Sequence, residues 1–165
     1  GSMFSDLENL KEVDLSNFDG TEITTMNFMF WDCINLESVN FTKLETPSLI
    51  DIGGLFYGCN SLLSADLSCL DTSSVINMGS MFFDCTSLTT VNLSNLNTSK
   101  VTAMPYLFSS CISLASVDLS NLDTSSVTQM DYMFQECLSL TSIDLSKFKT
   151  NSLELVPGLF SIART

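Results

Sequence analysis

Apolar positions along the chain repeat at a constant step of 26 residues, and polar residues occupy the positions between them. Each 26-residue unit carries a cysteine, a leucine three residues later, two further apolar residues at alternate positions, and a phenylalanine near its end. The phenylalanine column runs without a gap through Phe4, Phe30, Phe56, Phe82, Phe108, Phe134 and Phe160. A fixed period of this length is typical of a solenoid, in which one supersecondary unit stacks on copies of itself. We therefore predict a repeat solenoid of about six units.

Within one unit the pattern predicts a short strand followed by turns. In residues 85–110, apolar and polar residues alternate around Val91 and Leu93, as in a half-buried strand. A polar Asn-Thr-Ser stretch follows, which favours a turn. Apolar residues then come every third position, and Pro105 lies among them, so turns or a 3₁₀-like segment fit better than a long helix. We predict that each unit contains one short parallel strand, followed by a return segment of turns or 3₁₀-like structure that leads to the next strand.

Five of the six cysteines share one position of the repeat: Cys33, Cys59, Cys85, Cys111 and Cys137. Residues one unit apart in parallel strands lie about 4.8 Å apart with their side chains pointing the same way. This orientation disfavours disulfides between them, so we predict buried, reduced thiols that act as small apolar residues. Cys69 falls instead in a column with Asn and Lys residues, and we predict that it is exposed and able to form an intermolecular disulfide.

Composition and charge narrow the class of protein. The hydrophobic fraction of 45% excludes a disordered chain. No apolar run is long enough to cross a bilayer, so we expect no direct membrane insertion. The net charge is −13, with nineteen acidic residues, six basic residues and no histidine. Such a surface repels nucleic acids and anionic membranes, while basic partners and cations stay compatible with it.

The repeat extends over residues 3–165, which we predict to be a single solenoid domain. We interpret residues 1–2 as a cloning remnant, and Met3 and Phe4 already occupy repeat positions. The chain is therefore expected to be a piece of a longer solenoid. Residues 153–165 diverge from the repeat and are interpreted as a last unit or a cap. Since no polar N-terminal cap is recognisable, we expect the first unit to expose an apolar end and to allow end-to-end self-association.

Two stretches of the repeat resemble a known family. They are Leu119-Ser-Asn-Leu-Asp-Thr-Ser-Ser-Val127-Thr-x-Met130 and Met133-Phe134-x-x-Cys137. Both resemble the repeats of BspA-like bacterial surface proteins, a leucine-rich-repeat family, and the likeness covers essentially the whole chain. The resemblance implies a leucine-rich-repeat-type solenoid on a secreted or cell-surface protein. It further implies a non-catalytic adhesion or binding module whose ligand is a protein or glycan on a host or neighbouring cell. A purely structural spacer that displays another domain is the alternative.

The first candidate site is a column of outward-facing strand residues, on the side that leucine-rich repeats normally present as concave. This Asp/Asn strip consists of Asp14, Asn40, Asp66, Asn92, Asp118 and Asp144. Three interpretations stay open. The strip docks a protein or glycan, or it is a hydrogen-bonded ladder that only solvates the face. Alternatively, the adjacent Asp118 and Asp144 share a cation.

The second candidate site is the position directly after the phenylalanine that recurs in every unit. Three successive units carry Trp31, Tyr57 and Phe83 there. Other units place serine or glutamine there, so the core does not require an aromatic residue at this position. We predict that the three rings stack into one exposed strip. Exposed aromatic patches often mark binding sites, although packing against a flanking part of the protein explains them equally well.

An enzymatic function has little support. A chain without histidine holds no Ser-His or Cys-His pair, and no nucleotide-binding glycine motif occurs. A glycosidase would need two carboxyl groups in different environments, whereas Asp118 and Asp144 belong to one regular column. We predict that the protein is not an enzyme and uses no cofactor and no resident metal.

Overall fold

The computed structural model describes residues 2–149 and 157–161, in which the chain winds through stacked 26-residue units. Four parallel strands are present: β1 (Glu12–Asp14), β2 (Ser38–Asn40), β3 (Ser64–Asp66) and β4 (Thr90–Asn92). β1 pairs with β2 and β3 with β4, each residue facing its equivalent in the next unit. The described ranges contain no helix, and so none that could cross a membrane. The predicted solenoid of short parallel strands is confirmed.

The strand prediction holds in four units but not in the next two. Residues 116–118 and 142–144 occupy the same repeat positions and form no strand. A second line of parallel bridges joins the units at another position of the repeat, through Thr25, Asp51, Asn77, Ala103 and Gln129. Beside it, the N–H of Ile76 donates to the carbonyl of Ile50 at 2.9 Å.

The return segment, residues 26–33 and their equivalents, alternates between two kinds of hydrogen bond. Phe28 and Phe30 donate their N–H groups to the next unit, to the carbonyls of Gly53 and Leu55, both at 3.0 Å. The residues between them bond within the unit, and the N–H of Trp31 donates to the carbonyl of Phe28 at 3.2 Å. Every second N–H therefore joins units, while the others close turns inside one unit.

Two residues of each return segment have left-handed backbone geometry. Phe28 has φ of 51° and Asp32 has φ of 53°. Each is the third residue of a hydrogen-bonded four-residue turn, the position at which a type II turn requires positive φ. Because a 3₁₀ helix needs negative φ at every residue, the return segment is a run of turns instead.

The phenylalanine column forms the centre of the core. Six successive ring pairs, from Phe4 to Phe160, stack with centroids 5.5–5.7 Å apart and interplanar angles of 13° or less. Parallel rings at this separation have the offset geometry that aromatic pairs prefer. Phe30, Phe56, Phe82 and Phe108 are fully buried, so the stack excludes water along most of its length.

The repeating cysteines hydrogen-bond to the phenylalanine column. The carbonyl of Phe30 accepts the N–H of Cys33 at 3.2 Å and the thiol of Cys59 from the next unit at 3.1 Å. The same thiol contact recurs for Cys33, Cys85, Cys111 and Cys137. All six cysteines are free, and Cys69 is the exposed one. The predicted column of reduced thiols is confirmed, with Cys137 half-buried.

Buried threonines join the units in a similar way. The hydroxyl of Thr98 donates to the carbonyl of Asp123 at 3.0 Å and accepts the N–H of the same residue at 2.7 Å. Thr72 makes the equivalent pair with Asn97, and Thr124 with Lys149. One buried side chain thus satisfies both backbone groups of a residue in the neighbouring unit.

The last part of the repeat is described in part. Residues 153–156 and 162–165 of the predicted cap lie outside the described residues. Within residues 157–161, Phe160 stacks on Phe134 at 5.5 Å and continues the core column.

Replacing Thr98 with valine tests the threonine contacts. Thr98→Val keeps the shape but leaves the part-buried N–H and carbonyl of Asp123 without this partner, so we expect a loss of about 2 kcal/mol in the free energy of unfolding. Thr98→Ser keeps the hydroxyl and loses one methyl group, which should cost about 1 kcal/mol. Urea unfolding followed by circular dichroism measures both. A serine variant as unstable as the valine variant would contradict this account.

Thiol reactivity tests the cysteine column. Burial raises the pKa of Cys59, Cys85 and Cys111, and it raises that of Cys137 to about 11. The thiolate is the reactive species, so Ellman's reagent at pH 8 should modify Cys69 rapidly and the buried thiols only on unfolding. A Cys69→Ser variant should lose the fast phase. Rapid modification of that variant in its native state would show that the column is open to solvent.

Candidate binding surface

The Asp/Asn strip lies on the exposed face of the strands and carries side-chain hydrogen bonds between units. Asn40 Nδ2 donates to Asp14 Oδ1 at 3.0 Å, and Asn92 Nδ2 donates to Asp66 Oδ1 at 3.1 Å. These two bonds join β1 to β2 and β3 to β4, the same strands that pair through their backbones. The alternation of Asp and Asn therefore supports strand pairing.

Every residue of the strip also forms a local turn. Its Oδ1 atom accepts the backbone N–H two residues later, at 2.8–3.1 Å, in all six units. Hydrogen bonds from the side chain and N–H of the following serine lower the pKa of Asp66, Asp118 and Asp144. This turn ends the strand segment, which gives the strip a structural role of its own.

Asp118 and Asp144 stand next to each other without an intervening asparagine. The charge of Asp144 opposes the lowering of the Asp118 pKa, as expected for neighbouring carboxylates. Within the described ranges, no group of three or more His, Cys, Asp or Glu side chains could hold a metal ion. Docking on the strip stays a prediction.

The predicted aromatic strip is present, but its rings are arranged differently. Tyr57 and Phe83 stack with centroids 4.6 Å apart and an interplanar angle of 12°. Trp31 does not join that stack. It packs edge-on against Phe28 at 6.4 Å, and Phe28 is the ring that contacts Tyr57, at 6.2 Å. The three rings therefore do not form the single stack that their shared repeat position predicts, because Phe28, from another position, connects Trp31 to Tyr57.

The rings continue beyond the three predicted residues. Phe83 contacts Tyr106 edge-on at 6.2 Å, and Tyr106 stacks on Tyr132 at 5.1 Å. Six rings thus form one aromatic band along five successive units: Phe28, Trp31, Tyr57, Phe83, Tyr106 and Tyr132. Phe28 and Trp31 are each 40% exposed, and the other four are half-buried.

The band uses two columns of the repeat, three residues apart, and shifts from one to the other. Where the later column holds Tyr57 or Phe83, the earlier one holds glycine or serine, and where the earlier one holds tyrosine, the later one is serine or glutamine. A Cβ atom at Gly54 would collide with the ring of Phe28, which leans over it. This exchange of large and small residues between columns is the sequence signal for the longer band.

The backbone conformation of the earlier column opposes aromatic residues. Phe28, Tyr106 and Tyr132 have φ of 51°, 55° and 55°, and Gly54 and Gly158 occupy the same position at 62°. A left-handed conformation costs a bulky residue about 1–2 kcal/mol relative to its preferred geometry. Glycine is the residue that this position favours, and three units carry a ring there instead.

Acidic residues follow the band on one side. Asp32 and Asp84 come directly after Trp31 and Phe83, and the carboxylate of Asp32 lies over Gly58 of the next unit. Burial, then the charges of Asp6 and Asp84, raise the pKa of Asp32. Burial, then the charges of Asp32 and Asp84, raise the pKa of Tyr57. The rings therefore lie in a negative field.

The ion pairs of the described residues do not neutralise this field. Among the described residues, the ion pairs are Lys11 with Glu37 and Lys149 with Asp123, each at 3.3 Å. Neither pair includes an acid beside the aromatic band. Asp84 has a neutral partner, since Asn60 Nδ2 donates to its Oδ2 atom at 3.2 Å.

Comparison with known proteins places the chain in a family. Two overlapping stretches, residues 1–92 and 85–165, match the family described as "Mycoplasma protein of unknown function, DUF285". The chain belongs to this family. No curated protein matches this DUF285 chain.

The structure also resembles a solved one. That structure is a leucine-rich repeat protein from Eubacterium ventriosum ATCC 27560, determined at 2.50 Å, with a TM-score of 0.55 and 20% sequence identity. The match covers 94% of this chain and 44% of the other, so the DUF285 chain spans less than half of that protein. The likeness shows a leucine-rich-repeat fold.

An Asp66→Asn variant tests the strip by its pH dependence. The folded pKa of Asp66 lies below the unfolded value of about 3.9, so its turn bonds stabilise the fold above that pH and lose this effect as the pH falls. Asparagine keeps the acceptor, as at Asn40 and Asn92, and does not titrate. The wild type minus variant difference in unfolding free energy should therefore decrease between pH 5 and pH 2. Urea titrations measure it, and a difference that grows in acid would contradict the assignment.

Proposed function

We propose that this protein is a non-catalytic binding module of a secreted or cell-surface protein and that it engages its partner through the aromatic band. The observation that carries the proposal is the presence of Phe28, Tyr106 and Tyr132 at left-handed positions where other units use glycine or serine. A residue held against its backbone preference in an exposed position is best explained by what its side chain contacts.

The fold does not account for the rings. The core has its own complete aromatic column, and units at both ends of the described chain lack rings in the band columns, with Ser2 and Ser5 at one end and Gly158 and Ser161 at the other. A unit of this solenoid therefore folds without a ring there. The band is a feature of five central units rather than of the repeat.

The geometry of the rings favours a protein partner over a glycan. Sugars bind aromatic residues by lying flat on an open ring face. Tyr57, Phe83 and Tyr106 each have a ring neighbour on two sides, and Tyr132 lies between Tyr106 and Gly158. In the Tyr57–Phe83 and Tyr106–Tyr132 stacks each ring covers one face of its neighbour, which leaves less open ring face for a sugar and favours the apolar side chains of a protein.

The location and the adhesive role rest on resemblance. The repeat motif resembles that of BspA-like surface proteins, and the fold resembles that of a bacterial leucine-rich repeat protein. Both favour display on a cell surface, where a solenoid presents an extended contact face. The competing function is a structural spacer, for which the band would be mere surface packing.

Replacing two rings tests the proposal. Tyr57→Ser with Phe83→Ser introduces the residue found in the same column at Ser5 and Ser109. The matched control, Ile50→Thr with Ile76→Thr, removes two exposed apolar side chains (43% and 46%) from another side and uses the threonine of neighbouring units. Binding is measured on an array of matrix proteins and glycans, and folding by thermal denaturation. We expect the ring variant to lose at least about tenfold in affinity, as for central interface aromatics.

The control should bind as the wild type does, and both variants should stay folded. A wild type that binds nothing on the array, or a ring variant that binds equally well, would favour the spacer. Binding confined to glycans and lost with the rings would keep the surface and exclude the protein partner.

A further inference from the structure

The charges beside the aromatic band point to the chemistry of its partner. We propose that the band binds a basic segment of another protein, whose lysine or arginine stems lie across the ring edges and whose charged groups pair with Asp32 and Asp84. This rests on the band being the binding surface, as proposed above.

The two carboxylates are placed to act together. Asp32 and Asp84 stand two units apart in one column, and Gly58 occupies the position between them. Asp32 leans over Gly58, which brings its carboxylate toward Asp84, and each carboxylate acts on Tyr57 between them. The lack of a side chain at position 58 leaves room for the Asp32 carboxylate, so two negative charges flank Tyr57 beside the Tyr57–Phe83 stack.

No ion pair among residues 2–149 and 157–161 supplies a cation to these two carboxylates. The chain's basic residues are few, and the lysines that form ion pairs within the described ranges pair with Glu37 and Asp123 on other parts of the solenoid. Two neighbouring carboxylates repel each other, and an incoming cation relieves that repulsion. The net charge of −13 acts in the same direction, because it attracts basic partners.

Lysine and arginine match both halves of this surface. Their aliphatic stems pack on apolar surface while the charged end stays at the edge, in contact with water and carboxylates. Arginine is the better fit, since its planar group donates to two carboxylates at once. An acidic or neutral partner would leave Asp32 and Asp84 without compensation.

The test uses the full chain and a peptide of repeated Arg-Leu-Gly units, with Gln-Leu-Gly and Glu-Leu-Gly peptides of equal length as controls. The charge variant is Asp32→Asn with Asp84→Asn, which suits left-handed positions because asparagine tolerates positive φ. The control variant is Asp19→Asn with Asp71→Asn, which changes the net charge equally in turns where Asn97 already serves. Affinity is measured by calorimetry at low and high salt.

We expect the arginine peptide to bind most tightly and the charge variant to bind it roughly tenfold more weakly, the effect of two solvent-accessible ion pairs. The affinity of the control variant should stay within about twofold of the wild type. High salt should weaken peptide binding by the wild type and the control variant but not by the charge variant. Equal losses in both variants would show a general effect of net charge and overturn the proposal. So would equal binding of the arginine and glutamine peptides.

The outcomes separate this inference from the proposed function. If the glutamine peptide binds as tightly and binding is lost in Tyr57→Ser with Phe83→Ser, the band is the binding surface and the basic partner is wrong. If peptide binding is unaffected by loss of both rings, the surface itself is wrong, and both proposals fail.

Discussion

The structure depends on one hydrogen-bonding constraint in the return segment. Alternate N–H groups must reach the next unit, while the residues between them close turns within their own unit. This alternation requires positive φ at two positions per unit, occupied in one unit by Phe28 and Asp32. These bonds set the spacing between the backbones of successive units. That spacing in turn determines the stacking of the phenylalanine column, the burial of the thiols and the positions of the surface rings.

Side chains complete what the backbone of so short a strand cannot. Three-residue strands supply few ladder bonds, and the units are joined further by the Cys59 thiol, the Thr98 hydroxyl and the Asn40 amide. Each of these groups bridges to a neighbouring unit, and each recurs at the repeat period. The period therefore conserves donors and acceptors as well as apolar volume. Where a bridging amide is lacking, between Asp118 and Asp144, the neighbouring segments form no strand.

The sequence predicted the features that depend on equivalence between units: the solenoid, the buried cysteine column and the exposure of Cys69. Periodicity identifies which residues are equivalent, but it does not give the backbone angle at each position. The left-handed conformation of Phe28 was therefore not predictable from spacing. Neither was the contact between Phe28 and Tyr57, since it joins two columns rather than two units of one column.

The same distinction separates structure from function in this solenoid. Features present in nearly every unit, such as the Asx turns of the Asp/Asn strip, are explained by the stacking itself. The aromatic band is confined to five units, changes columns, and keeps rings at positions that favour glycine. Asp32 and Asp84 lie beside it and form no ion pair with the described part of the chain, whereas Glu37 and Asp123 do. A surface that the repeat does not need, and whose charge no ion pair among the described residues compensates, is the basis for proposing a partner of opposite charge.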